Sequence, residues 1–550
     1  MKKQLLLVTS FVFIASIAFG GGIVTNSNQS AYFVRTLVRA AAIGPDAVYY
    51  NPAGLTKLED GFHFSLNSQT IFQNKDVSND YKYLKPTPKK YLGDVLAPVF
   101  PGFYATWKKN KIAVSFGFNP VGGGGGATFK DGLPSFELSV ADMVPTLAAY
   151  GATDYRREVY FKGTSIYLGY QLGVTYQIND VISVYGGLRY VTVKNTYEGY
   201  LRNVEVNIGG DWIPVNEEFS NLGDLATAGA NGATGIAITM GSLIDYNGAL
   251  AGFTLLQAQN AGALTNDQRL AIIGGLQQLG IDTTLNIGQL QATASGTASY
   301  LNGQATQAYQ TATLTEMLFN QQADVVQKGH GFTPIIGVNL ALSDKLNIGI
   351  KYELRTKIQV TNDTKKDFIV DVTEAGAPIY MFPDGEKVDN DMPAMLSVGV
   401  DYKASSKLSV SAGLHYYWDK GVSYGKKIGN EYVDNSKIID YNCFELAGGL
   451  EYGITDKLFI SAGYLHAQTG VSEAYQTDLN YHLSSNTFGG GLGYQLTEKL
   501  MINAGVSYSK YMEGTKDYLH KFKATNTNIF TTDTYFKNTL NLALGLDFRF

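Results

Sequence analysis

Across residues 346–360 the chain alternates apolar and polar positions with a period of two. Leu346, Ile348, Ile350, Tyr352, Leu354 and Ile358 share one face, while Asn347, Lys351, Glu353, Arg355, Lys357 and Gln359 share the other. Successive side chains of a β-strand point to opposite faces, so the pattern predicts strand. The chain end repeats it, with Leu540, Leu542, Leu544, Leu546, Phe548 and Phe550 set against Asn541, Asp547 and Arg549. The alternation also recurs as hairpins. LGVTYQINDVISVYGGLRY starts at Leu172, IGVNLALSDKLNIGIKYEL at Ile336, VGVDYKASSKLSVSAGLHY at Val398, GGLEYGITDKLFISAGYLH at Gly448 and GLGYQLTEKLMINAGVSY at Gly491. A sixth copy joins Gly102 to Phe118 through Lys108-Lys109-Asn110. In each, two alternating runs flank a short polar turn, which is the hairpin signature.

A first strand near 61–72 and a last near 537–550 bring the count to roughly fourteen, an even number, as a closed antiparallel barrel requires. Connections are short on one side and run from a few residues to over a hundred on the other. Short turns opposite long loops is outer-membrane barrel topology. Solenoids and propellers would keep a fixed period. The expected fold is therefore an all-β membrane protein, a transmembrane barrel over 59–550 with lipid on the apolar face and a wet lumen on the other. The localisation that follows is the bacterial outer membrane, with its lipid as a partner.

Composition agrees with this. The chain has 61 Gly, 37 Tyr and 28 Phe, 17% charged residues and a mean hydropathy of -0.07. A helical span needs about 20 consecutive apolar residues, and none exists after the leader. That leader pairs Lys2 and Lys3 with an apolar run at 5–19 and a small-x-small site at Ala18-Phe19-Gly20, predicting a signal peptide at 1–20. The lone Cys443 lies far from the cleavage site and excludes an intramolecular disulfide. A net charge of -5 excludes a strongly basic nucleic-acid binder.

One segment, 207–328, departs from strand periodicity and is rich in Ala, Gly, Gln and Thr. Thr265 with Gln268 fits a capping box, Ile272, Leu276 and Leu279 fall on one helical face, and Gly280 offers a C-cap. A second amphipathic stretch spans 304–320. The expectation is a helical extracellular insertion, with a disordered insertion as the alternative.

The stretch AVYYNPAGL, ending at Leu55, stands just before the first strand. Pro52 removes a donor and holds Asn51 extended, and Gly54 permits a tight turn. Alone, these residues would serve any turn. Together with Gly21-Gly22 and Asn28-Gln29-Ser30-Ala31, they resemble the plug of the FadL / OmpP1 / TodX family of outer-membrane transporters of hydrophobic compounds. The signal peptide, strand count and terminal Phe550 fit the same architecture, and Phe550 resembles the aromatic end read by the barrel-assembly machinery. The resemblance implies a fourteen-stranded barrel closed by an N-terminal hatch at 21–58, containing Tyr49, Tyr50, Asn51, Pro52, Ala53 and Gly54. It also implies passive uptake of long-chain fatty acids or other hydrophobic small molecules, with escape sideways into the membrane. Tyr32, Phe33 and Val34 stand where the family often has small residues, and Gly44-Pro45-Asp46 where it has an acidic pair, which leaves the ligand open.

Two further readings concern the site. The third strand runs into Asn119-Pro120-Val121 and five glycines, and a proline inside a ladder removes a hydrogen bond. The family has an inward kink in this strand that opens a side window, so Gly117, Asn119, Pro120 and Gly122 mark a lateral opening; otherwise the strand ends there in a glycine loop. By alternation Arg189, Lys351, Arg355 and Lys357 face inward and could meet an acidic headgroup. Glu353 and Asp401 face inward too, so internal ion pairs are the alternative.

The glycine run lacks a following Gly-Lys-Ser/Thr and forms no phosphate cradle. His63, His330, His415, His466, His482 and His520 have no metal-ligand spacing, and no nucleophile elbow or His-Glu-x-x-His occurs. No enzyme, cofactor or metal is expected, and the protein is read as a monomer. The competing functions are a structural or adhesive barrel that uses its insertion, and a porin for polar solutes.

Overall fold

A computed structural model describes residues 27–373, 376–428, 431–522 and 525–550. The expected signal peptide and Gly21-Gly22 of the expected hatch lie outside the described residues.

Fourteen strands form one closed antiparallel barrel. They are β1 (Gly61–Asn79), β2 (Gly93–Lys109), β3 (Ile112–Phe129), β4 (Ala152–Gln177), β5 (Ile182–Ile208), β6 (Gln321–Ser343) and β7 (Leu346–Glu353, resumed at Gln359–Lys366). The second half comprises β8 (Met395–Lys403), β9 (Leu408–Tyr417), β10 (Phe444–Gly453), β11 (Leu458–Gln468), β12 (Ser485–Thr497), β13 (Leu500–Tyr511) and β14 (Thr527–Arg549). Each pairs with its neighbour in sequence, and β1 pairs with β14 from His63↔Arg549 to Asn79↔Asp533, leaving no edge. Closure is obligatory in hydrocarbon, which cannot hydrogen-bond an open ladder. The six polar turns lie at one end with Gly61 and Phe550, and the long connections at the other.

The facing follows the alternation. Leu172, Phe332 and Leu544 are 60%, 53% and 65% exposed on the outer wall, while Ser65, Gln69, Asn339 and Ser397 are buried inside. Apolar rows around a closed barrel match a hydrocarbon solvent. The barrel belongs in the bacterial outer membrane.

One strand corrects the sequence reading. In β7 the alternation holds from Leu346 to Glu353, but Leu354 and Arg355 are both accessible, and beyond them Ile358 and Val360 are buried while Lys357 and Gln359 are exposed. The ladder is interrupted here except for a bridge between Thr356 and Met392. A slip of one residue turns every following side chain to the other face. Lys357 and Gln359 therefore point away from the lumen, and Ile358 points in.

Eight helices lie among the described residues. Short helices α1 (Ala31–Thr36) and α2 (Ala47–Tyr50) sit inside the barrel with the 3-10 turn Pro52–Lys57. At the mouth, α3 (Pro134–Ala141) and α4 (Met143–Leu147) pack with Tyr81, Leu84, Phe219, Leu318 and Phe382 into an apolar lid. Between β5 and β6 rise α5 (Val215–Tyr246), the short α6 (Leu255–Asn260) and α7 (Asn266–Gln278), and α8 (Ile287–Phe319). The helical part is thus narrower than 207–328, because β5 continues to Ile208 and β6 starts at Gln321, with Ala323 and Val325 alternately buried. Helices of 32 and 33 residues reach about 48 Å. Ala226, Ala230 and Ala233 of α5 and Ala294, Ala305 and Ala308 of α8 are buried along their length. The Thr265–Gln268 capping box closes on α7, and Gly280 takes φ 69° just beyond it.

Candidate functional site: a filled lumen and a gap in its wall

Residues 27–58 cross the lumen, and the wall supplies their hydrogen bonds. The Ser30 hydroxyl accepts from Phe33 N to cap α1 and donates to Asp46 Oδ2 at 2.8 Å, where Arg39 Nε also donates at 3.0 Å. Asp46 thus ties α1 and the turn after it to the start of α2. The segment's carbonyls meet side chains of the strands: Val48 O accepts from Gln171 at 2.7 Å, Tyr49 O from Lys351 at 2.6 Å, Pro52 O from Thr175 and Ala53 O from Ser183 at 2.7 Å each. Buried backbone groups that find no partner cost about 1–3 kcal/mol each, so these inward polar residues fix the segment's register.

Close approach is the second device. A Cβ on Gly349 or Gly399 would strike Ala40, one on Gly449 or Gly463 would strike Thr36, and one on Gly505 would strike Arg35. These glycines sit at lumen-facing positions of β7, β8, β10, β11 and β13, where the other strands carry polar side chains. They let the segment lie directly on the wall.

Of the expected hatch residues, Tyr49, Tyr50, Asn51, Pro52, Ala53 and Gly54 are all buried. Tyr49 and Tyr50 pack edge to face at 5.1 Å. The Tyr50 hydroxyl accepts from Gln29 N at 2.7 Å and donates to Ser27 O at 2.8 Å. Burial, then the Glu353 carboxylate, raises the Tyr49 phenol well above its ordinary value, so it stays protonated. Asn51 donates to Ala42 O at 3.1 Å and to Asn339 Oδ1 at 2.7 Å. Pro52 begins the 3-10 turn, where its missing N–H is no loss. A Cβ on Gly54 would lie 2.6 Å from Asn51 Nδ2. The residues that depart from the family pattern have partners as well: Tyr32 stacks under Arg35 and Arg39 at 3.7 and 3.8 Å and donates to Glu451 at 2.9 Å.

The basic quartet splits. Arg189 and Lys351 come together on Glu353, with Arg189 making a fork of 2.6 and 3.0 Å and Lys351 a bond of 2.7 Å. Both cations also lie over the Tyr49 ring, at 5.1 and 4.6 Å. Arg355 pairs with Asp391 at the half-exposed edge of a loop, and Lys357 is exposed. Arg189 and Lys351 therefore hold residues 27–58 at Tyr49, and the other two share no site with them.

Among the described residues the ladder between β2 and β3 is broken over its middle. β2 pairs with β3 at residues 93–95 and again from Phe103↔Phe118 to Lys109↔Ile112, with no pairing between. Residues 96–102 and 119–126 thus face each other without a ladder, although β2 stays paired to β1 and β3 to β4. Pro120 stands on one side. Pro98 and Pro101 stand on the other and escaped the sequence reading, although two prolines inside an alternating run already signal a strand that cannot donate. Asn119 donates to Gln29 Oε1 of the hatch segment at 2.7 Å, Gly117 lies against Val48 and Tyr104, and Gly122 against the Tyr167 ring. The candidate opening and the hatch segment thus share contacts.

Above them, a cavity of about 150 Å³ lies among the outer loops, lined by Val370, Met381, Phe382 and Val388 with Glu386 and Lys427. Val388 belongs to a buried apolar cluster that includes Val360, Ile358, Val193, Val191 and Tyr167, and reaches Val121 at the seam and Tyr49 in the hatch segment. Ile358 and Val360 enter this column only because of the slip in β7. Among the described residues no group of three His, Cys, Asp or Glu side chains is placed to hold a metal.

No protein-family model matches the chain, and no curated protein matches it in sequence. Solved structures do. A Pseudomonas aeruginosa FadL homologue superposes with a TM-score of 0.53 at 13% identity, covering 96% of this chain and 99% of its own. The deltaS2S3 mutant of the monoaromatic hydrocarbon channel TodX gives 0.50 at 13% identity, covering 95% and 99%. At this identity the likeness is one of fold: the chain has the fold of the FadL and TodX barrels over nearly its whole length.

Proposed function

We propose that this barrel passively admits hydrophobic small molecules, long-chain fatty acids or other apolar compounds, across the outer membrane. The hatch segment at 27–58 blocks a straight aqueous path, and the ligand leaves sideways through the β2–β3 seam. The observation that carries this reading is the unbroken apolar column from Val388 in the loop cavity to Val121 at the seam. An apolar solute needs continuous dry contact through a wall whose other lumen residues are polar. A porin would keep the lumen open, and here the hatch segment lies on the wall itself.

Val121→Asp tests the path by putting a charge at its narrow end. Uptake of a labelled fatty acid by cells carrying the variant is expected to fall about tenfold or more, with the barrel still heat-modifiable. Unchanged uptake would remove the column as the route.

The two long helices favour a second reading, adhesion, because a charge-poor arm about 48 Å long has no role in the column. Deleting 215–319 separates the readings: adhesion lost with uptake intact would assign the arm a role of its own.

A further inference from the structure

The barrel mouth holds a cluster of cations outside the apolar column. Lys75 of β1 and Lys537 of β14 are direct partners across the ladder, both facing inward. Like charges directly opposite are unfavourable, and neither has a carboxylate in ion-pair contact among the described residues. Lys75 donates to Leu479 O at 3.1 Å and lies 4.9 Å over the Tyr481 ring. Lys537 lies 4.6 Å over Tyr511, and no hydrogen bond from its ammonium occurs among the described residues. Lys426, buried, donates to Tyr475 O at 2.9 Å and Asn480 O at 3.2 Å and stacks on Tyr475 at 3.6 Å.

His482 stands among these three lysines. Its Nδ1 is sealed from solvent and has no partner. Burial, then Lys537, Lys426 and Lys75, push its pKa down to about 3, so the ring is neutral and can offer Nδ1–H. Lys516 adjoins the group and donates to Gln476 O at 2.7 Å. Asp478, Asp533 and Glu473 are the carboxylates nearby; Asp478 accepts from Ser135 N and Asp533 from Asn79 Nδ2. The four lysines outnumber the three carboxylates.

We propose that Lys75, Lys426, Lys537 and His482 form an oxyanion site that takes a single carboxylate, either the head of an amphiphile or a free anion. Aromatic faces hold the ammonium groups without neutralising them, and the open ammonium of Lys537 and the orphan Nδ1 of His482 supply the unspent donors. Lys426 directly precedes Lys427 of the loop cavity, so a tail anchored here can reach the apolar wall of Val388. This assignment rests on the uptake reading.

Equilibrium dialysis of labelled dodecanoate and dodecanol against the purified full-length barrel tests it, with acetate as competitor. The native protein is expected to prefer dodecanoate about tenfold. Lys537→Gln and Lys75→Gln are each expected to erase that preference while dodecanol binding stays unchanged. Dodecanol bound as well as dodecanoate, or a preference that survives both substitutions, would overturn the anion site and leave uptake standing. Retention of neither compound would overturn both. Competition by acetate at concentrations equal to dodecanoate would confirm the site and show that its anion is free rather than tail-borne.

Discussion

The side-chain amide of Asn51 donates to Asn339 Oδ1 of β6 at 2.7 Å, joining the turn of the hatch segment to the barrel wall. Asn339 in turn exchanges hydrogen bonds of 2.9 Å with Asn347 of β7, which donates to Ala41 O at 2.9 Å. The two asparagines of the wall thus grip the segment on both sides of its central turn.

Asn51→Ala removes both of its bonds and leaves the Ala42 carbonyl without that donor, a loss of about 1–3 kcal/mol. Hydrophobic uptake should fall several-fold with the barrel still heat-modifiable. Pro52→Ala should act in the same direction but more weakly, because the turn keeps its hydrogen bonds. Cell uptake of a labelled fatty acid with heat-modifiability as the folding control checks both, and wild-type uptake would reduce this stretch to a turn.

Gly463 lies against the Thr36 carbonyl with no room for a side chain. Gly463→Leu should lift α1 from β11 without unfolding the barrel, whose outer face is untouched. Planar-bilayer recording should then show frequent large openings where the native protein is closed. A quiet trace from a correctly assembled variant would mean that the hatch segment does not depend on this contact.

Glu353 pairs with both Arg189 and Lys351 beside Tyr49. Breaking a buried pair by removing one partner costs about 3–5 kcal/mol. Glu353→Gln leaves two buried cations against one neutral amide, so hydrogen exchange of residues 46–54 should speed up by at least tenfold while the strands stay protected. Equal protection would show that the triad does not hold the segment.

Asp419, in the outer loop between β9 and β10, is buried and accepts hydrogen bonds from Tyr424 OH and Cys443 N. Burial raises its pKa to about 6, against about 4 in an unfolded chain. A raised pKa means that the folded loop binds the proton more tightly. Its stabilisation is complete below about pH 4 and is lost as pH rises through 6. Hydrogen exchange of 419–443 should therefore be slower at pH 4.5 than at pH 7.5 after correction for intrinsic rates, and Asp419→Asn should flatten the difference.

The barrel was legible because lipid and lumen impose opposite chemistry on alternate residues, as in 540–550. Alternation fails where the backbone slips. Nothing in the residue types of 354–358 marks the bulge, so Lys357 and Ile358 exchanged faces. Residues 49–54 stand out through Pro52 and Gly54, but their seats on the wall do not. Gly463 reads as one more strand glycine until Thr36 is seen above it. On the seam, Pro120, Pro98 and Pro101 are all visible as prolines in alternating runs, but only the fold sets them against one another. The helical arm was only half legible, since α5 and the first half of α8 mix alanine, such as Ala226, Ala230, Ala294 and Ala298, into their buried faces, and alanine marks a buried face weakly. Arg189 and Lys351 were placed inward by alternation, but only the fold brings Glu353 between them.

Photocrosslinking tests lateral exit most directly. A fatty acid carrying a diazirine at the end of its tail would be bound by the full-length protein in outer-membrane vesicles, irradiated and mapped by mass spectrometry. Adducts are expected on Val121 and Tyr167 and on 96–100 across the seam. Adducts confined to residues at the short-turn end of the lumen, with none at the seam, would contradict it.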